Sequence, residues 1–88
     1  MTNTQDTRKS LTVSIKSKNK NLYEGSVTTL TSKNDRGVFD ILSFHTNFIT
    51  LIREYIIIDK GLPTEKGFNF EKGVLYVLSN KVEIYVGI

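Results

Sequence analysis

The chain has 88 residues, one histidine and no cysteine, and its twelve lysines and arginines against nine acidic residues give a formal net charge of +3 at pH 7. A chain of this length folds around a single core. Without cysteine it has neither a disulfide framework nor a thiolate metal site. No apolar run approaches the roughly 20 residues of a membrane-spanning helix, and the polar N-terminus lacks a signal-peptide segment, so secretion and membrane insertion are not expected.

The chain opens with a polar segment and then changes to a strand pattern. Residues 1–10 carry no apolar side chain after Met1, and we expect them to form a flexible arm. Apolar and polar residues alternate over 11–16 and again over 82–86. This period of two is typical of a half-buried strand. The predicted organisation is therefore an arm over 1–10 and one domain over 11–88.

Turn-forming sequences recur about every ten residues, a spacing typical of an antiparallel sandwich or barrel. The best helix candidate is Phe48–Ile58, but its β-branched residues and the lack of a cap favour a strand. We predict an all-β fold, an antiparallel β-sandwich of about eight to ten short strands. The predicted strands are 11–16, 21–23, 26–32, 37–42, 48–52, 54–59, 67–70, 73–79 and 82–86.

The residue counts argue against catalysis. With His45 as the one histidine and no cysteine, a zinc site would need three carboxylates. No nucleophile-elbow pattern surrounds a serine, and the six glycines show no phosphate-binding spacing. We therefore expect no catalytic residue, no cofactor and no metal.

A small oligonucleotide-binding barrel is one alternative. Lys16, Lys18 and Lys20 form a basic cluster, and such barrels combine basic residues with aromatic faces on which bases stack. The competing interpretation is a solvated lysine loop with the aromatic residues in the core, and the apolar-patterned positions of the phenylalanines favour it. The aromatic residues concerned are Tyr23, Phe39, Phe44 and Phe48.

Three collinear motifs carry a family resemblance. One lies in residues 37–51, at Gly37, Phe39, Ile41, Leu42, His45, Thr50 and Leu51. It resembles the signature of the epsilon subunit of F-type ATP synthases, where a glycine, an acid and an apolar residue precede Gly-Ile-Leu-Pro-x-His, then Ala-Pro and an apolar pair with threonine. Residues 11–15 with Leu22-Tyr23-Glu24-Gly25 are similar to the opening strand and turn of that family. Residues 73–84 are similar to its closing strands, so the resemblance covers 11–86.

The resemblance implies a sandwich that binds the gamma subunit along one face and turns with the rotor, without nucleotide chemistry. The beta subunit and the polar loops of the membrane rotor ring are further partners that it implies, while nucleic acid and direct membrane insertion are not expected. The expected location is cytoplasmic and peripheral to the membrane, within the complex. In many relatives a helical hairpin follows and acts as a brake on ATP hydrolysis. Because the chain ends at Ile88, we expect no such hairpin.

The resemblance also suggests residues that contact gamma. His45 matches the family histidine, and Phe44 beside it is a candidate aromatic anchor. Lys18 and Asn19 lie in the first hairpin, which is near gamma in that family. Local turn structure would explain His45, Lys18 and Asn19 as well, and for Phe44 packing under the edge of the sandwich is the favoured interpretation; both interpretations stay open.

Departures from the family concentrate at the rim. Val38 stands where an acid is usual, in the loop expected to face the rotor ring, and Arg36 lies close by. Arg53-Glu54 stands where Pro-Gly is common. Two contexts therefore remain open: a proton-translocating ATP synthase, or an F-like rotary ATPase not coupled to proton transport, such as the one associated with mycoplasma gliding.

Overall fold

A computed structural model describes residues 11–43 and 45–87. The predicted arm and two single residues, Phe44 and Ile88, lie outside the described residues. All regular elements of the described part are strands, which confirms the all-β prediction and the rejection of a helix over Phe48–Ile58. The strands are β1 (Leu11–Ser17), β2 (Lys20–Val27), β3 (Thr29–Asn34), β4 (Gly37–Leu42), β5 (Phe48–Ile58), β6 (Lys66–Leu78) and β7 (Lys81–Val86).

The strands form one hydrogen-bonded sheet in the order β2-β1-β7-β6-β5-β3-β4. Five of the six neighbouring pairs are antiparallel, as predicted. The exception is β1 with β7, which run parallel. These two strands lie at opposite ends of the chain, so no hairpin fixes their relative direction, and alternation within a strand carries no information about it.

The strands number seven rather than eight to ten because β5 and β6 each contain two of the predicted segments. Their pairing register shifts between Arg53 and Glu54: Arg53 faces Lys72 while Glu54 faces Phe70, which leaves one extra residue on β6. Glu54 also has a φ of 78°, in the left-handed region that favours glycine. Such a bulge bends a strand and increases its twist, and here it turns β5 and β6 together from one layer into the other.

The sheet therefore folds over on itself into two layers. β7 pairs with β6 only from Gly73 to Leu78, so the first layer contains β2, β1, β7, the second half of β6 and the first half of β5. β3 pairs with β5 only at Ile56–Ile58 among the described residues. The second layer accordingly contains β4, β3, the second half of β5 and the first half of β6.

The core lies between these layers and consists mainly of branched aliphatic residues. Two edge-to-face aromatic pairs close its sides: Tyr23 packs against Phe68 and Phe39 against Phe48, each with ring centroids 5.9 Å apart. Tyr23, Phe39 and Phe48 pack against this core. This agrees with the interpretation, favoured by the sequence, that these aromatic residues belong to the core rather than to a base-stacking surface. The buried hydrophobic residues are Leu11, Val13, Ile15, Val27, Leu30, Ile41, Ile52, Ile56, Ile58, Leu75, Val77, Val82, Ile84 and Val86.

Candidate functional site

An apolar patch covers part of the outer face of the first layer. Ile49 and Leu51 on β5 are 66% and 70% exposed, and on the neighbouring strand Tyr76 and Leu78 are also exposed. The register places Ile49 opposite Tyr76, and Leu51 opposite Val74. Contiguous exposed apolar surface of this kind marks interaction sites in soluble proteins. We refer to Ile49, Leu51, Val74, Tyr76 and Leu78 as the apolar patch.

The sequence of the two strands explains why the patch exists. Phe48–Ile52 contains one polar residue, and Val74–Leu78 contains none apart from the hydroxyl of Tyr76. Alternate residues of both segments, such as Leu75 and Val77, fill the core, so the residues between them point outward. Strands that are apolar on both faces are typical of sheets covered on both sides. The described part of the chain places no layer over this outer face, which leaves it for a partner.

Lys18 and Asn19 occupy the exposed two-residue turn between β1 and β2. Lys18 has a φ of 52°, which makes the turn tight enough to join two neighbouring strands directly. Together with Lys16, Lys20 and Asn21, these two residues line a shallow depression. The turn therefore presents several ammonium groups side by side at one end of the first layer.

Arg36 and Val38 lie at the β3–β4 hairpin, near the other edge of the sheet. The backbone N–H of Arg36 donates to Oδ1 of Asn34 at 2.8 Å, which shapes the turn. The amide nitrogen of Asn34 donates in addition to Oγ1 of Thr50 on β5, at 3.2 Å. Val38 follows on β4 with 59% of its surface exposed, so it presents an apolar side chain where the family usually has an acid.

Two ion pairs fasten this hairpin to the bend in β5. Lys33 Nζ lies 3.1 Å from Glu54 Oε1, and a guanidinium nitrogen of Arg53 lies 2.5 Å from Asp35 Oδ1. Both pairs are substantially exposed, and each such pair is worth at most about 1 kcal/mol. Their joint effect is positional: they hold the β3–β4 hairpin beside the bulge and next to one border of the apolar patch.

His45 lies in the connection between β4 and β5 and is half-buried. Its backbone N–H donates to the carbonyl of Leu42 at 3.2 Å. Its Nδ1 lies 2.7 Å from the carbonyl oxygen of Thr46; because a carbonyl has no proton to give, Nδ1 is the donor. The ring also packs near Phe48, with centroids 5.3 Å apart. These contacts are local, and the interface assignment of His45 stays a prediction.

The residues predicted from the sequence fall into two groups in the sheet. Lys18 and Asn19 belong to the β1–β2 edge of the sheet, whereas Arg36, Val38 and His45 belong to the β3–β4 edge. β7, β6 and the first half of β5 lie between the two edges. Phe44 falls outside the described residues. The patch itself, on β5 and β6, was not predicted from the sequence.

Asp59 is a buried carboxylate that the sequence analysis did not single out either. It is 6% exposed and accepts hydrogen bonds from the backbone N–H groups of Thr28 (2.7 Å) and Thr29 (3.2 Å) and from the hydroxyl of Thr64 (2.7 Å). These contacts join the start of β3 to the β5–β6 connection. Asp59 is therefore a structural residue of the fold, at a corner away from the patch.

Groups of metal-binding side chains are absent from the described residues: no three histidine or acidic side chains there come close enough to hold a metal ion. The described residues likewise contain no helix that could span a membrane.

Comparison with protein families gives one match that covers most of the chain. The family model described as "ATP synthase, Delta/Epsilon chain, beta-sandwich domain" matches residues 10–87. A comparison with curated protein sequences found no match.

Two solved structures contain chains with the same fold. One is the Euglena gracilis mitochondrial ATP synthase, OSCP/F1/c-ring in rotational state 1, with a TM-score of 0.79 and 11% identity over 88% of this chain. The other is the central stalk and c-ring of the Tetrahymena thermophila mitochondrial ATP synthase, with a TM-score of 0.70 and 16% identity over 92% of this chain. The aligned regions cover 50% and 66% of those two chains. At these identities the similarity establishes a common fold.

Proposed function

The chain belongs to the delta/epsilon chains of ATP synthase, whose β-sandwich domain matches its residues 10–87, and from this membership we propose that it is a non-catalytic subunit of the central stalk of a rotary ATPase. In this role it binds the gamma subunit, turns with the rotor and transmits its rotation. Its location is then cytoplasmic and peripheral to the membrane, through the complex.

The apolar patch is the observation that carries this proposal. A non-catalytic stalk subunit needs one surface that holds it firmly to its partner, and aromatic and aliphatic anchors at the centre of an interface supply most of the binding energy. Ile49 and Leu51 have the largest exposed fractions among the apolar residues that the structure describes. We assign the patch to gamma because it joins exposed apolar side chains of two neighbouring strands into one surface.

The β3–β4 edge is the part of the molecule that we assign to the rotor ring or to another neighbour in the stalk. Arg36 is exposed in the hairpin turn and Val38 follows it at 59% exposure. An arginine and a valine here cannot make the ion pairs that an acid at this loop would make. This difference is the reason to keep the second context, an F-like rotary ATPase that is not coupled to proton transport.

The experiment that tests the proposal is affinity purification of the tagged full chain from a lysate of its native cells, followed by mass spectrometry. We expect gamma-, alpha- and beta-type ATPase subunits to be recovered together with it. Subunits of the membrane rotor ring in the same preparation indicate the proton-translocating context. Their loss, with alpha, beta and gamma retained, indicates the other context.

The matched control is the same tagged chain with Leu51→Asp, which introduces a charge at the most exposed residue of the patch. We expect this variant to recover much less of every ATPase subunit. Recovery of nucleic acid or unrelated proteins by the parent chain, without ATPase subunits, would contradict the proposal and favour the oligonucleotide-binding alternative.

A further inference from the structure

A row of lysines follows one border of the first layer, directly beside the apolar patch. β1 and β7 run parallel with Lys16 opposite Tyr85 and Ser17 opposite Val86. The backbone N–H of Gly87, the residue after β7, donates to the carbonyl of Lys72 at 2.9 Å. The β1–β2 turn, the end of β7 and Lys72 therefore succeed one another along the same border. We call Lys16, Lys18, Lys20 and Lys72 the lysine rim.

Lys16 and Lys72 of the rim share their face with the patch. Lys16 on β1, Tyr85 on β7, Val74 on β6 and Leu51 on β5 stand opposite one another in successive strand pairs. Since neighbouring strands are about 4.8 Å apart, this row spans roughly 14 Å. At its β5 end, Lys72 and Leu51 line one common depression. A partner that covers the patch and extends to this border meets the lysines as well.

The charge of the rim is not neutralised within the described part of the chain. The ion pairs there are Lys33 with Glu54 and Arg53 with Asp35, and they involve none of the rim lysines. Asp35 lines the depression that contains Lys72, but its carboxylate pairs with Arg53. Glu24 and Glu83 both stand opposite Ser14 on β1, and Glu83 accepts a hydrogen bond from the hydroxyl of Tyr85 at 3.3 Å. The border is thus a positive surface next to an uncharged, apolar one.

We infer that the surface of gamma that covers the apolar patch carries acidic side chains along one border, and that these pair with the lysine rim. The inference rests on the proposed function and adds the chemistry of the partner to it. The patch supplies the affinity, whereas the rim fixes the orientation and accelerates the encounter, because complementary charge acts more on association rate and specificity than on affinity.

A nucleic acid is the competing partner for a row of lysines, and the observations favour a protein. Nucleic-acid surfaces of this kind combine lysines with exposed aromatic rings on which bases stack. Tyr23, Phe39 and Phe48 instead pack against the core. The side chains that adjoin the rim on β5 and β6 are aliphatic, namely Leu51 and Val74, which suits a protein surface.

The test measures association of the purified full chain with the gamma subunit that co-purifies with it, at a series of salt concentrations. Lys18→Glu and Lys72→Glu are compared with Lys60→Glu, an exposed lysine in the β5–β6 connection that undergoes the same change of charge. We expect each rim variant to lower the association rate constant about three- to tenfold at low salt, with dissociation nearly unchanged. The difference from the parent chain should shrink as salt is added.

The outcomes separate the two claims. If the rim variants lower the association rate constant clearly more than Lys60→Glu does, the inference is supported. If the rim and control variants lower the association rate constant equally while gamma still binds, the inference is wrong and the proposed function is unaffected. Failure of the parent chain to bind gamma overturns both. Binding of a single-stranded oligodeoxythymidine that the rim variants abolish, with unchanged binding to gamma, also overturns the inference.

Discussion

Leu51→Asp lowers the affinity of the chain for its gamma subunit by about 30-fold or more, since an anchor residue at the centre of an interface contributes about 2 kcal/mol or more. In the free chain Leu51 is 70% exposed, so the new carboxylate is solvated and the fold is retained. In the complex the same carboxylate would be removed from water by the partner, and burying a charge is costly. Titration calorimetry with purified gamma measures the effect.

Leu62→Asp is the matched control for this prediction. Leu62 is also an exposed leucine, at 42%, and lies in the β5–β6 connection away from the patch. We expect its replacement to leave the affinity for gamma unchanged within about twofold, as for surface substitutions outside an interface. Equal losses of affinity in both variants would mean that the patch is not the gamma-binding surface.

Asp59→Ala lowers the free energy of unfolding by about 3 kcal/mol, because a buried N–H left without an acceptor costs about 1–3 kcal/mol. The carboxylate accepts from the N–H groups of both Thr28 and Thr29. The φ of 52° at Asp59 adds strain for alanine. Asp59→Asn should cost about 1 kcal/mol, because asparagine keeps an acceptor oxygen and tolerates this backbone conformation.

Urea unfolding of the purified chain measures these differences. Asp35→Ala is the control, since the side chain of Asp35 is 82% exposed and its ion pair with Arg53 lies at the surface. We expect that substitution to cost less than about 1 kcal/mol. If Asp59→Ala lowered the free energy of unfolding as little as Asp35→Ala, the stability of the corner formed by β3 and the β5–β6 connection would not depend on this carboxylate.

The sequence predicts the strands that have a clear local pattern. Alternation at 11–16 and 82–86 marks β1 and β7, and β-branched residues mark β5. The predicted break at Arg53 follows from the interruption of the apolar run there, whereas the structure has one strand with a bulge at this position. Pro-Gly is common here in the family, and the positive φ of Glu54 explains why glycine suits this position.

The apolar patch was missed for a physical reason. Alternation assigns one face of a strand to the core, but Val74–Leu78 is apolar on both faces, and the sequence does not state which face a second layer covers. Only the sheet order identifies Tyr76 and Leu78 as outward-facing. An apolar run without alternation, in a protein with just two layers, is the signal that would have indicated a partner surface.

Contacts between distant parts of the chain were beyond the sequence analysis. Asp59 binds Thr28, thirty-one residues earlier in the chain, and β1 pairs with β7 across almost the whole domain. No local pattern encodes such contacts, because each depends on how all the intervening strands are arranged. The interface roles predicted for Lys18, Asn19, Arg36, Val38, Phe44 and His45 depend on a partner and stay predictions.

Thiol protection tests the central claim, that gamma covers the apolar patch, most directly. The chain has no cysteine, so Ile49→Cys introduces a single thiol at a position that is 66% exposed in the free chain. We expect a maleimide to label this thiol rapidly in the isolated chain and far more slowly in the purified ATPase complex. A Leu62→Cys control should react rapidly in both. Equally rapid labelling of Ile49→Cys in the complex and in the isolated chain would contradict the account.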